Sequence, residues 1–173
     1  MSHTSREANL LGACALAVAE RLPVAAHDAA LVALAGWLGG ASIEALARVL
    51  HLTHSGAVRL ADRLERDGTV ERRPGVDGRS LALHVTGAGA RKARRLQAAR
   101  LAELEQVLEP LEAHERQTLT GLLEKLLGGL TSDHAHARHL CRLCAPDVCG
   151  HPERCPVTVS ARRSGVAHVE HPD

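Results

Sequence analysis

Four of the five cysteines in this 173-residue chain, Cys141, Cys144, Cys149 and Cys155, fall close together near the C-terminal end. Their spacing is C-x2-C-x4-C-x5-C, with Pro146, Gly150 and Pro152 between them. A compact loop of this kind can turn four thiolates onto one tetrahedral centre, and C-x-x-C lets two neighbouring sulfurs share a metal. Zinc is the first expectation, because thiolates match its ligand preference and His139 or His151 stands by as a substitute ligand. An iron–sulfur cluster is the second, since the last cysteine precedes Pro156 as in cluster-binding loops. A metal-free thiol switch is the third, with Arg138, Arg142 and Arg154 placed to lower thiol pKa values. Four thiolates saturate a zinc ion and no general base lies beside them, so the centre reads as non-catalytic. A thiol or metal redox enzyme is the alternative from another functional class.

A second group of residues carries a different chemistry. Ile43, Leu46, Ala47 and Leu50 recur at i, i+3, i+4 and i+7, a short amphipathic helix that Ser42 can cap. After a turn at His51-Leu52, Thr53 can cap a second helix with Ala57, Ala61 and Leu64 inward and Val58 at the edge. Its opposite face shows Ser55, Arg59, Asp62, Arg63 and Arg66. Such a face suits a major groove, where arginine pairs bidentately with guanine and serine meets base or phosphate. Asp67-Gly68 ends the helix. Thr69–Arg73 and Leu81–Val85 then read as strands around the turn formers of residues 74–80. Arg72, Arg73 and Arg79 cluster on that hairpin, within reach of phosphates or of an adjacent minor groove. Helix, turn, helix and wing together point to duplex DNA.

These residues carry a family resemblance. Leu46-Ala47, Leu52-Thr53-His54-Ser55, the run Val58 to Glu65, Asp67 to Arg72, Asp77-Gly78-Arg79-Ser80, Leu83 and Thr86-Gly87 are similar to the MarR family of bacterial transcription regulators. The likeness covers roughly residues 26–130 and is sharpest over 42–87. It implies a homodimer, usually a repressor, on a pseudo-palindromic operator, with recognition helices in successive major grooves. It also implies that Arg79 enters a flanking minor groove and that Asp77 supports the wing. The expected DNA-contacting set is Thr53, His54, Ser55, Arg59, Arg63, Arg72, Arg73, Asp77 and Arg79. An interaction module that has lost DNA binding is the alternative for this part of the chain.

Composition fits that reading. Net charge is only +1, yet the basic residues concentrate between Arg48 and Arg100 while the acids lie mainly in later helices, which gives a local basic surface. Trp37 is the only aromatic, so base stacking on an aromatic platform is excluded. The core must be leucine, alanine and valine in helix-on-helix packing. No signal-peptide pattern and no apolar run of spanning length is present, so the expectation is a cytoplasmic protein with no membrane association and with reduced cysteines.

The fold class expected is mainly α: a winged helix-turn-helix with a two-stranded wing, flanked by N- and C-terminal helices that form a dimerisation domain. Residues 1–25 supply the N-terminal dimerisation helix, with Thr4 and Glu7 spaced as a capping box and Cys14 as a small buried hydrophobe. Residues 26–86 form the DNA-binding domain, whose first helix runs from Ala26 to Leu38 with Leu31, Leu34, Ala35 and Leu38 inward. His27-Asp28 at its start is either helix-start polarity or a pair in the cavity of a small-molecule effector. Residues 87–133 hold a long helix capped by Thr86, a break at Pro110, and a second helix whose leucine face from Leu119 to Leu130 wants a partner, naturally a second copy. Residues 134–157 are the Cys/His-rich loop and 158–173 a flexible tail.

Overall fold

The computed structural model describes residues 5–22, 24–75 and 80–163. In chain order the elements are α1 (Arg6–Arg21), α2 (Ala26–Gly36), α3 (Ile43–Leu50), α4 (His54–Arg66), β1 (Val70–Pro74), β2 (Leu81–Val85), α5 (Gly87–Leu108), α6 (Ala113–Leu130), α7 (His134–Cys141), α8 (Pro146–Cys149) and α9 (Pro156–Arg163). The expected mainly helical winged-helix fold is the one observed.

Local chemistry sets the helix starts. The hydroxyls of Ser42, Thr53 and Thr86 accept hydrogen bonds from the amides of Ala45, Gly56 and Gly89, as their positions in the sequence predict; each such cap contributes about 1 kcal/mol. The first helix differs from expectation. Ser5 caps it, accepting from the Ala8 amide at 3.1 Å, because Arg6 is already helical and the cap must sit immediately before it. Thr4 lies outside the described residues. A capping box does occur, but at α6, between Glu112 and Glu115.

α2 is the centre of the core. Ala29 to Leu34 are all buried, because α2 packs against α3, α4, α5 and β2 at once. An enclosed helix needs no amphipathic stripe. Ala35, expected inward, is exposed, and the helix ends at Gly36 rather than Leu38. The chain turns early so that Gly40, at φ 72°, and Ala41 can reach the sheet: the Gly40 amide donates to the Leu83 carbonyl at 3.1 Å and the Leu83 amide to the Ala41 carbonyl at 2.9 Å. Leu31, Leu34, Leu46, Leu64, Leu83 and Val70 are the largest fully buried side chains. Each fully buried leucine contributes about 1.5–3 kcal/mol.

β1 and β2 pair antiparallel in the register Val70↔Val85 to Pro74↔Leu81. The wing is fixed to α5 at one close approach. A Cβ on Gly89 would lie 2.0 Å from the Thr69 carbonyl oxygen and 2.9 Å from a Val85 methyl. Gly89→Ala is therefore expected to lower stability by about 1–3 kcal/mol through overpacking, read as a fall in the urea midpoint at unchanged m-value.

Two long helices, α1 and α6, and the single turn of α8 contain no buried residue. Leu10, Leu11, Leu16, Leu122, Leu123, Leu126 and Leu130 are each about half exposed or more. Cys14, expected to be buried, is exposed for the same reason. Among the described residues no single helix is long and apolar enough to cross a membrane.

The tail corrects a further expectation. Residues 134–163 are largely helical, where a loop over 134–157 and the start of a flexible tail were expected; residues 164–173 of that tail lie outside the described residues. α9 begins with Pro156, buries Val157, Thr158 and Ala161, and packs on both α6 and α7. With Ala137, Cys141 and Cys155 these residues make a second small core, against which Trp37 and Leu140 also pack. Those apolar partners lie on other elements, so the order of the segment cannot be read from its own periodicity.

Candidate nucleic-acid interface and thiol cluster

α4 divides into two faces. Ala57, Leu60, Ala61 and Leu64 are buried, while His54, Ser55, Arg59, Arg63 and Arg66 are exposed. Arg59, Arg63 and Arg66 make no ion pair among the described residues, so three guanidinium groups stand uncompensated along one helix face. At its N-terminal end Thr53 both caps the helix and lies 3.3 Å from the Ser55 hydroxyl, and His54 Nδ1 approaches Glu44 Oε1 at 3.5 Å. The four residues from Thr53 to Gly56 thus form a polar entrance to the helix.

The wing arginines divide by role. Arg72 is turned to its own protein: its guanidinium bonds the Asp62 carboxylate at 2.6 Å and the Glu65 carboxylate, and its backbone amide donates to Glu65 Oε1 at 3.3 Å. The hydrogen bond to Asp62 and the charges of both carboxylates raise its pKa further. Arg72 fastens β1 to α4 and sets the angle between the wing and that helix. Arg73 is more exposed, 60% of its side chain, and pairs with neighbouring Glu71. Asp77 and Arg79 lie outside the described residues; the Gly75 amide donates to the Ser80 carbonyl at 2.8 Å across the mouth of that turn.

His27-Asp28 has a structural partner. Asp28 Oδ1 lies 3.2 Å from His27 Nε2 and 3.6 Å from Lys92 Nζ, which ties the start of α2 to α5.

The four tail cysteines come together as free thiols around the second core. Cys141 and Cys155 are buried, Cys144 and Cys149 half-buried. The Cys149 thiol donates to the Pro146 carbonyl at 3.5 Å. The neighbouring Cys141 lowers the Cys144 thiol to about 7, helped by Arg100 and Arg142. The Cys141 thiol is pushed up by Cys144, by burial and by the charges of the other sulfurs. Burial, with the nearby Cys155, raises Cys149 to about 11. Of the flanking arginines singled out in the sequence, only Arg142 acts on Cys144; Arg100, forty-odd residues earlier, is the other. Among the described residues no three His, Cys, Asp or Glu side chains are arranged to hold a metal ion in this conformation.

Each candidate histidine ligand has its Nδ1 engaged. His139 Nδ1 lies 2.8 Å from the Val49 carbonyl, and its ring stacks on His51 with centroids 3.7 Å apart and planes at 4°. His151 Nδ1 lies 2.9 Å from the Thr158 hydroxyl, and its ring meets Trp37 edge-on at 4.5 Å. Gln97 Nε2 on α5 donates to the Cys144 carbonyl at 2.8 Å. His51, Gln97 and Trp37 were not singled out from the sequence as site residues. A partner 47 or 90 positions away leaves no local pattern.

Comparison with known proteins adds a family to this geometry. Residues 29–80 match the model of the MarR family. No curated protein sequence matches the chain. Among solved structures, a probable transcriptional regulator from Pseudomonas aeruginosa is 25% identical, with a TM-score of 0.52, covering 70% of this chain and 97% of that one. The Mycobacterium tuberculosis MarR family protein Rv2887 in complex with p-aminosalicylic acid is 26% identical, with a TM-score of 0.51, covering 71% and 98%. The reduced form of MarR from E. coli is 23% identical, with a TM-score of 0.58, covering 73% and 99%, a likeness of fold. The MarR-family match thus spans α2 to β1, and about 73% of the chain takes the fold of a MarR-family structure.

Proposed function

We propose that the chain is a MarR-family transcription regulator that binds a pseudo-palindromic duplex operator as a homodimer and acts as a repressor. The carrying observation is the exposed face of α4, where Ser55, Arg59, Arg63 and Arg66 stand beside a wing that Arg72 holds in place. In this reading Arg59 and Arg63 reach base edges, Thr53, His54 and Ser55 meet the backbone and base edges at the helix start, and Arg73 with Arg79 contacts DNA from the wing. Asp77 supports the wing, and Arg72 positions it rather than touching DNA. The leucine faces of α1 and α6 meet their counterparts in a second copy and set the spacing of two recognition helices, about 34 Å for successive grooves.

The same reading makes the four tail cysteines an input, metal or redox, and not a catalytic centre, in a cytoplasmic protein. Aromatic acids are the effector class to test beside it, since the M. tuberculosis relative was solved with p-aminosalicylic acid.

Duplex binding measured against salt tests the reading. A dimer neutralising roughly five phosphates loses about 500-fold in affinity between about 50 and 200 mM monovalent salt. Absence of duplex binding at low salt, with the protein folded and dimeric, would refute it.

A further inference from the structure

Helix α3 has only eight residues, and its last carbonyls have no amide of their own helix to accept from. Two of them find a local donor. The Ala47 carbonyl accepts from the Leu52 amide at 2.9 Å, and the Arg48 carbonyl from the His51 amide at 3.4 Å. The Val49 carbonyl is met by a side chain from the tail: His139 Nδ1 on α7 lies 2.8 Å from it, and because a carbonyl can only accept, that nitrogen carries the proton and donates.

A second contact falls two residues further on. His51 ends α3 at φ 53° and ψ 45°, the left-handed region that glycine enters without strain and that a Cβ disfavours. The side chain that glycine would lack lies on the His139 ring, with centroids 3.7 Å apart and planes at 4°. Thr53 then caps α4. One imidazole on α7 thus holds both the end of α3 and the residue that turns the chain toward α4.

α7 is itself a fixed post. It packs on α3 and α9, and Asp133 caps it by accepting from the His136 amide at 2.9 Å. The segment around it is tied to three further elements: Gln97 of α5 donates to the Cys144 carbonyl at 2.8 Å, Pro146 lies against Gly36 at the end of α2, and the Ser160 hydroxyl donates to the Gly128 carbonyl of α6 at 2.8 Å. Helices as short as α3 gain their stability from such packing and little from propensity.

We propose that His139 is a positioning residue: by bonding the Val49 carbonyl and stacking on His51 it braces the corner between α3 and α4, and so fixes the angle at which α4 meets DNA. The last clause rests on the DNA-binding reading; the brace does not.

Two measurements on the full chain test it. Amide hydrogen exchange needs no DNA. Exchange at Leu52, Gly56 and Ala57 is expected to quicken about tenfold in His139→Ala, while the amides of α2 and α5 exchange as in the wild type. His139→Asn, whose side-chain N–H takes the place of Nδ1, is expected to keep those three amides within about threefold of the wild type. His51→Gly suits the left-handed backbone and removes only the stack, and it is expected to quicken the same amides. The second measurement is affinity for a duplex enriched from a random pool by the wild-type protein, with a scrambled duplex beside it. His139→Ala is expected to lose about tenfold on the enriched duplex and less than about twofold on the scrambled one, whereas a loss of folded protein lowers both alike; His139→Asn restores the discrimination. Unchanged exchange at the corner in His139→Ala and His51→Gly, or an asparagine variant no better than alanine, overturns the brace. Faster exchange with undiminished discrimination overturns its role at DNA. A wild type that enriches no duplex refutes the DNA-binding reading and that role with it, and the brace is then decided by exchange alone.

Discussion

Arg59→Ala and Arg63→Ala are each expected to weaken operator binding by about 1–3 kcal/mol, roughly 5- to 150-fold, and to relax base preference at the pair each one reads. Both side chains project from the solvent face of α4 and make no ion pair among the described residues, so truncation removes little from the folded protomer. The double variant is expected to retain the thermal midpoint and dimeric state of the parent while losing sequence-specific binding altogether. Fluorescence anisotropy on a selected duplex and on a scrambled one separates the effects. A phosphate-only role would lower both affinities alike and reduce the salt slope by about one per arginine. If neither replacement changed binding to either duplex, α4 would not be the reading helix.

Leu123→Glu combined with Leu126→Glu is expected to convert the protein to a monomer and to reduce operator affinity by a factor on the order of 10²–10⁴. These leucines are 45% and 46% exposed on a helix that buries nothing in its own protomer. Burial of each against a partner contributes about 1.5–3 kcal/mol, and a dimer buries every one twice. Placing four carboxylates in that interface replaces the gain by a desolvation cost. The loss at DNA follows because two linked reading heads bind with an avidity that one head lacks. Sedimentation or light scattering at micromolar concentration reads the first effect, and anisotropy the second. A dimer that survived both substitutions would move the interface away from α6.

Both expectations lean on features whose visibility in the sequence differs. Helix α4 was legible because it is built from short-range relations: Thr53 three residues before the Gly56 amide, Ala57, Ala61 and Leu64 on one stripe, arginines on the other. Ser42, Thr86 and the turn formers between the wing strands were legible in the same way. The leucines of α6 announced a missing partner through periodicity alone, and their exposure in the protomer agrees.

Other features appeared only once the chain was folded. Arg72 looked like one more wing cation until packing brought Asp62 and Glu65 of α4 against it. α2 looked like a one-sided helix and proved to be enclosed, because four other elements converge on it. Residues beyond Val157 looked unstructured, yet up to residue 163 they are ordered in α9 by apolar contacts with α7 and by the Ser160 hydroxyl donating to the Gly128 carbonyl of α6, partners that its own eight residues do not encode; residues 164–173 lie outside the described residues.

The division has a physical cause. Caps, stripes and turns cost and return free energy within a few residues, so residue type and spacing alone determined the winged helix-turn-helix, its basic face and the presence of four clustered thiols. Where that thiol module docks, and that His139 lies on His51 at the turn before α4, was decided by tertiary packing between segments some 90 residues apart, whose contacts exist only after the core has closed.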